Sequence, residues 1–176
     1  RGLKMPVEAI IAAWDIVKAN EAAAQRHFLG IVCEQSKYSL ATRMIELELI
    51  PACRNYGVGV IAWSPLEGGM LGGVLKDTQK IRRSSGEVRN RIERHQSQLE
   101  AYEALCSELG EEPSHVALAW MLANPVMTGP IIGPRTIEQF TGCLRSVELE
   151  LDDRTMQRLD EIWPGPGGEA PMAYAW

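Results

Sequence analysis

The sharpest chemical signal in the sequence is Gly133-Pro-Arg-Thr136, which joins a short apolar run directly to a helix start. A helix N-terminus presents free N–H groups and the positive end of the helix dipole, a ready site for an anion. Arg135 adds a guanidinium at the same point, able to grip a phosphate at two oxygens. A plain capped helix beside a solvated arginine accounts for the same residues. A second segment, Trp63-Ser64-Pro65-Leu66, is followed by Glu67-Gly-Gly-Met-Leu-Gly-Gly73. An aromatic at the end of a strand can stack on a flat ring, and glycines after it let backbone approach a pyrophosphate. The pattern is neither a Walker loop nor the dinucleotide fingerprint, and a core tryptophan before a flexible loop fits it as well. A third segment, Cys33-Glu-Gln-Ser-Lys-Tyr38, sets Glu34, Gln35, Lys37 and Tyr38 at a strand end, where a glutamine can bind an amide edge.

Other reactive residue types give less. Lys37 and Tyr38 are adjacent, and side chains of neighbouring extended residues diverge, so they are not expected to form a proton-transferring pair. Cys33, Cys53, Cys106 and Cys143 have no metal or redox spacing and sit among apolar neighbours, so buried, inert thiols are expected. His27, His95 and His115 share no motif with a nucleophile. The stretch from Lys76 to Arg94 carries seven basic and three acidic residues, hence +4 against −9 for the remainder. With Arg82, Arg83, Arg89, Arg91 and Arg94 and no interleaved aromatics, it reads as a solvated loop, with a clamp over an anionic cofactor second.

The chain has 176 residues and a formal charge of −5, with 45% hydrophobic and 23% charged residues, as in ordinary globular domains. The acidic balance argues against a nucleic-acid partner. No apolar run approaches the roughly 20 residues of a membrane span, and the start has no signal-peptide pattern. Free thiols without an export signal suit the cytoplasm.

The elements that must position these residues follow from periodicity. Helices are expected from Pro6 to about His27, from Thr42 to Tyr56 and across Leu99–Leu109. Further helices open at Pro113, after Thr136 with its capping-box pattern, and after Asp152. Strands are expected at Leu29–Cys33, Val58–Trp63 and Pro130–Gly133, with an irregular stretch from Ser64 to Arg94. Continuous apolar strands are those buried on both faces, so the fold class is α/β with a parallel sheet covered by helices. Three parallel strands leave two open edges and cannot close a barrel.

Together, Glu34-Gln-Ser-Lys-Tyr-Ser-Leu40, Gly57-Val-Gly-Val-Ile-Ala-Trp-Ser-Pro-Leu66 with Gly68 and Gly69, Val116-Ala-Leu-Ala-Trp120 and Pro130-Ile-Ile-Gly-Pro-Arg-Thr-Ile-Glu-Gln139 resemble the aldo-keto reductase superfamily. The likeness is to its bacterial and potassium-channel β-subunit-like branch and runs from about Trp14 to Trp163. It implies a partial (β/α)8 barrel, with the three strands as the sixth, seventh and eighth. It also implies a division into an atypical segment 1–13, a half-barrel 14–163 and a Pro/Gly-rich tail 164–176. The resemblance assigns Gln35 to the nicotinamide carboxamide and Trp63 to the nicotinamide ring. Ser64, Pro65, Leu66, Gly68 and Leu71 fall to the pyrophosphate; Gly133, from the anion-site reading of its own segment, joins the expected cofactor-binding set. Arg135 matches a position at the adenosine 2′-phosphate, favouring NADPH, and Gln139 one near the adenine ribose.

The departures carry equal weight. The family's catalytic Asp, Tyr, Lys and His have no match here, nor does its Ser-Asn pair, where the chain reads Ile11-Ala-Ala13. Gly142 and Cys143 replace the Glu and Asn that many members set against adenine. The expectation is therefore the cofactor-binding half of an NADPH-dependent reductase of aldehydes or ketones, inactive alone. A first half, or a second copy meeting the open strand edges, would be its partner. The alternatives are a non-catalytic oligomerising or nucleotide-binding module and an inactive fragment.

Overall fold

The computed structural model describes residues 12–76 and 86–174. Pro6, Arg82 and Arg83 lie outside these residues. Helix α1 (Ala13–Ala24) leads into strand β1 (Cys33–Lys37), and α2 (Leu49–Tyr56) into β2 (Gly59–Trp63). Helices α3 (Gly86–Arg94), α4 (Gln96–Leu109) and α5 (Pro113–Leu122) follow. Strand β3 (Met127–Pro130), α6 (Ile137–Glu148) and α7 (Asp153–Ile162) complete the order. The strands form one parallel sheet in the order β1-β2-β3.

The helix boundaries follow local chemistry. The α2 helix ends at Gly57, whose φ of 65° is a left-handed cap that a side chain would resist. Pro113 opens α5, where its missing N–H costs nothing. Thr136 caps α6 by accepting from the Gln139 N–H, and Asp152 caps α7 by accepting from the Thr155 N–H at 2.7 Å. Six consecutive residues of α5, Val116 to Met121, are buried, which explains its lack of a polar face.

Four expectations need correction. The first strand runs through the mixed residues Cys33–Lys37, not the apolar run Leu29–Cys33. Gly30 turns the chain with φ 78°, the Ile31 N–H is taken by Asn20 Oδ1 at 2.9 Å, and pairing starts at Cys33↔Gly59. The third strand likewise lies earlier, at Met127–Pro130, because Val60 takes Met127 as its partner. Residues 42–56 break at Glu48, whose backbone is not helical, into a single turn at Met44–Glu46 and α2. The basic stretch is not loop throughout, since Gly86–Arg94 is helical and anchored by buried Ile92.

The sheet also differs from the one expected, for among the described residues it is covered on one face only. Along β1 and β2 burial alternates, with Glu34, Ser36, Val60 and Ala62 buried and their neighbours half-exposed. The buried face joins Cys53, Val116, Leu118 and Met121 in the core. The other face is open. Among the described residues β1 and β3 each have a single strand neighbour. Several apolar side chains stand exposed: Trp14 on α1, Phe28, Leu29 and Val32 in the segment before β1, and Ile137, Phe140, Leu144 and Val147 along one side of α6.

Candidate functional site: the carboxyl rim of the sheet

Parallel pairing brings the carboxyl ends of all three strands to one side, so Lys37, Trp63 and Pro130 deliver residues 38–42, 64–69 and 131–136 to a common rim. Ligands of open α/β sheets bind outside these ends. On the open face Gln35 pairs in register with Ile61, and Lys37 with Trp63. The Lys37 ammonium lies 5.9 Å from the centre of the Trp63 ring, within reach of a cation–π attraction. Tyr38 turns the other way, donating to Glu46 Oε1 at 2.7 Å and lying 5.3 Å from the Trp120 ring centre. Burial and the Glu46 carboxylate push its phenol well above the ordinary range, which removes it as an acid near neutral pH.

The loop after β2 is unusual in its backbone. Ser64, Glu67, Gly68 and Gly69 all have positive φ, from 51° to 95°. For Ser64 and Glu67 this is a conformation that side chains resist, and such residues concentrate at functional sites. Gly68 and Gly69 are exposed at the rim. A Cβ at Gly68 would stand 3.1 Å from the Val88 side chain, so α3 packs directly on the loop. Pro65 is buried and Leu71 lies wholly in the core, while the Leu71 N–H returns to the Leu66 carbonyl at 3.1 Å. The side chains of these two residues pack into the core beneath the loop.

The loop is held by a buried carboxylate. Glu67 is 1% exposed. Its Oε1 accepts from the Ser39 hydroxyl at 2.7 Å and the Thr42 hydroxyl at 2.6 Å. Its Oε2 takes the Lys37 ammonium at 2.8 Å and the Arg91 guanidinium at 2.5 Å. Burial alone would raise its pKa, but the bonds from Lys37, Thr42, Ser39 and Arg91 outweigh it and bring the carboxyl down to about 2. Two cations on one carboxylate leave one net positive charge beside the glycines. Arg91 is therefore not a solvated loop residue, as its basic stretch suggested.

At the third segment, Gly133, Arg135 and Gln139 are all exposed. The Arg135 N–H donates to Gln139 Oε1 at 2.7 Å, and the Gln139 N–H to Thr136 Oγ1 at 3.3 Å, so the Gln139 side chain braces the turn. The Glu138 carboxyl is lowered by its own backbone N–H and the Thr136 hydroxyl, in keeping with the positive end of a helix dipole.

The cysteines stand apart from the rim chemistry and form no disulfide. Cys53 and Cys106 are fully buried, and burial pushes both thiols up to about 12. Native protein treated with iodoacetamide at pH 8 should leave both unmodified until it is unfolded, as mass spectrometry would show. Prompt labelling of either in the folded chain would contradict this. Among the described residues no group of three His, Cys, Asp or Glu side chains could hold a metal ion, and no helix is long and apolar enough to cross a membrane. A cavity of about 350 Å³ is lined by Tyr38, Arg43, Glu46, Trp120 and Asp160 among others. There Arg43 pairs with Glu46 and Asp160 and stacks 5.0 Å over Trp120, so its charges satisfy one another.

The structure thus brings Gln35, Trp63, Ser64, Leu66, Gly68, Gly133, Arg135 and Gln139 to one end of one sheet. Lys37, Glu67 and Arg91 belong to the same rim; the sequence offered Lys37 among the strand-end polar groups and Arg91 within the basic stretch, but did not join either to Glu67. For Glu67 only the Glu67-Gly-Gly pattern was a hint.

Residues 11–164 match the sequence model of the aldo/keto reductase family. The chain is 52% identical over 166 residues to the uncharacterized oxidoreductase YrpG of Bacillus subtilis, covering 94% of this chain and 50% of that protein. It is 28% identical over 163 residues to a putative voltage-gated potassium channel subunit beta of Schizosaccharomyces pombe, covering 86% and 47%. It is 25% identical over 162 residues to the aryl-alcohol dehydrogenase [NADP(+)] of Phanerodontia chrysosporium, covering 86% and 42%. The chain spans about half the length of these curated relatives.

Proposed function

This chain belongs to the aldo/keto reductase family, and we infer that it supplies the NADPH-holding rim of a reductase acting on a small aldehyde or ketone. The observation that carries this reading is the half-buried Trp63 on the open face, flanked by the left-handed loop and by exposed Arg135 at the same rim. The donor set fits the group: a flat indole for the nicotinamide, Gln35 for its carboxamide, and exposed Gly68 and Gly69 for the pyrophosphate. The guanidinium of Arg135 beside a helix N-terminus suits the 2′-phosphate that distinguishes NADPH from NADH. An NADP(+) dehydrogenase among the relatives supports the same choice.

In this reading β1, β2 and β3 are the sixth, seventh and eighth strands of a (β/α)8 barrel. The open face becomes the barrel interior, and the edges of β1 and β3 receive the remaining strands. A reduced nicotinamide held at this rim would be the source of hydride for carbonyl reduction. Trp63 orients the ring, Gln35 fixes its rotation, and the 64–69 backbone with Arg135 anchors the phosphates. Protonation of the carbonyl oxygen falls to an Asp/Tyr/Lys/His set on a first half of the barrel, since Tyr38 is engaged elsewhere and its proton is held too tightly. The chain works in the cytoplasm, where its free thiols stay reduced.

Arg135→Ala should weaken NADPH binding about 10- to 100-fold and leave NADH nearly unchanged, the cost of one charged contact to phosphate. Equal losses for both dinucleotides would remove Arg135 from the 2′-phosphate. Carbonyl-dependent NADPH oxidation should be absent from the 176 residues alone and appear with a first half supplied. Turnover by the chain alone would refute the division of labour. A second reading, a non-catalytic module that self-associates, draws on the apolar stripe of α6, where Ile137 is 74% exposed. It would show as a stable oligomer indifferent to NADPH.

A further inference from the structure

We propose that Glu67 is a positioning residue for the dinucleotide: its buried carboxylate, clamped by Lys37, Ser39, Thr42 and Arg91, holds the loop after β2 in the left-handed shape that presents Gly68 and Gly69 at the rim. The inference rests on the NADPH reading above and adds to it a residue that never touches the cofactor. Glu67 has φ 51° and is followed by Gly68 at 67°, with Ser64 at 52° three residues earlier, backbone that needs outside support. That support comes from three separate places. Lys37 ends β1, Ser39 and Thr42 form the tight turn after it with paired N–H···O bonds of 3.1 Å, and Arg91 comes from α3. The same carboxylate therefore ties the loop to the strand carrying Gln35 and to the helix packed on Gly68 through Val88.

A buried carboxylate next to a phosphate site is otherwise a liability, because it repels the ligand. If Glu67 served only to balance charge, Glu67→Gln would add one net positive charge beside the glycines and tighten NADPH binding. Positioning predicts the reverse. Glu67→Gln should weaken NADPH about tenfold despite the added charge, by loss of the ion-paired clamp. Ser39→Ala is a neutral change that removes one bond to Oε1. It should weaken NADPH two- to fivefold, where charge balance predicts no change. Binding of 2′-AMP, which has no pyrophosphate, should stay within about twofold of wild type in both variants, because Arg135 and the α6 start are untouched.

The test is calorimetric titration of the wild-type chain and both variants with NADPH and 2′-AMP, with circular dichroism as the check on folding. Weaker NADPH with unchanged 2′-AMP supports the proposal. NADPH binding equal to or tighter than wild type in folded Glu67→Gln overturns it while leaving the NADPH reading standing. Parallel loss of both ligands overturns it in favour of general destabilisation. If Glu67→Gln does not fold, Ser39→Ala decides by the same criteria. Failure of the wild-type chain to bind NADPH defeats the functional reading itself, and this proposal with it.

Discussion

Trp63→Ala is expected to weaken NADPH binding about 10- to 100-fold, because stacking of a ring on an aromatic side chain is worth about 1–3 kcal/mol. The fold should survive the change. Trp63 lies half-buried on the open face, with the Lys37 ammonium 5.9 Å from its ring centre, and the core packs on the opposite face through Val60 and Ala62. Trp120 and Trp163 are buried among helices, and exposed Trp14 lies on α1. Fluorescence should therefore persist in the variant while its quenching by NADPH is lost. Trp63→Phe keeps a flat ring and should recover most of the affinity. A Trp63→Ala chain that binds NADPH as well as wild type would take the nicotinamide away from this residue.

The second large effect is acid sensitivity from Glu67. Its folded pKa is about 2 against a reference of 4.5, so between these values the unfolded chain binds a proton that the folded chain does not. The stabilisation is fully present above about pH 4.5 and is lost as pH falls toward 2. A shift of this size corresponds to something on the order of 3 kcal/mol. Urea unfolding of wild type should show stability falling steeply across that window. Glu67→Gln should start lower at pH 7 and show a flatter dependence there. Parallel pH curves for the two proteins would mean that the carboxylate has no such stabilised charge. Asp152, Glu108 and Glu111 are also lowered, by bonds from Thr155, Arg158 and Arg145, and their acid losses are common to both proteins.

How much of this was legible in the sequence depended on whether the cause was local. The caps at Thr136 and Asp152, the glycine stops at Gly57 and Gly110 and the proline start of α5 were readable, because each is decided within a few residues. The strands β1 and β3 were displaced because pairing with β2, not apolar composition, sets where a strand begins. Leu29, read as strand core, is 85% exposed beside an open edge. Helix α3 was hidden by its charge, yet Val88 and buried Ile92 are four apart, the spacing of a shallow helix face. At the rim, the residues that would meet a ligand carried their own motif. The Glu67 clamp did not, since Lys37, Ser39, Thr42 and Arg91 come together only in the fold.

The central claim is that this chain holds a dinucleotide at the carboxyl rim of its sheet. Titration of the 176-residue chain with NADPH, followed by tryptophan fluorescence, tests it most directly. Saturable quenching that disappears in Trp63→Ala is the predicted result, and an unchanged spectrum at millimolar NADPH would contradict it.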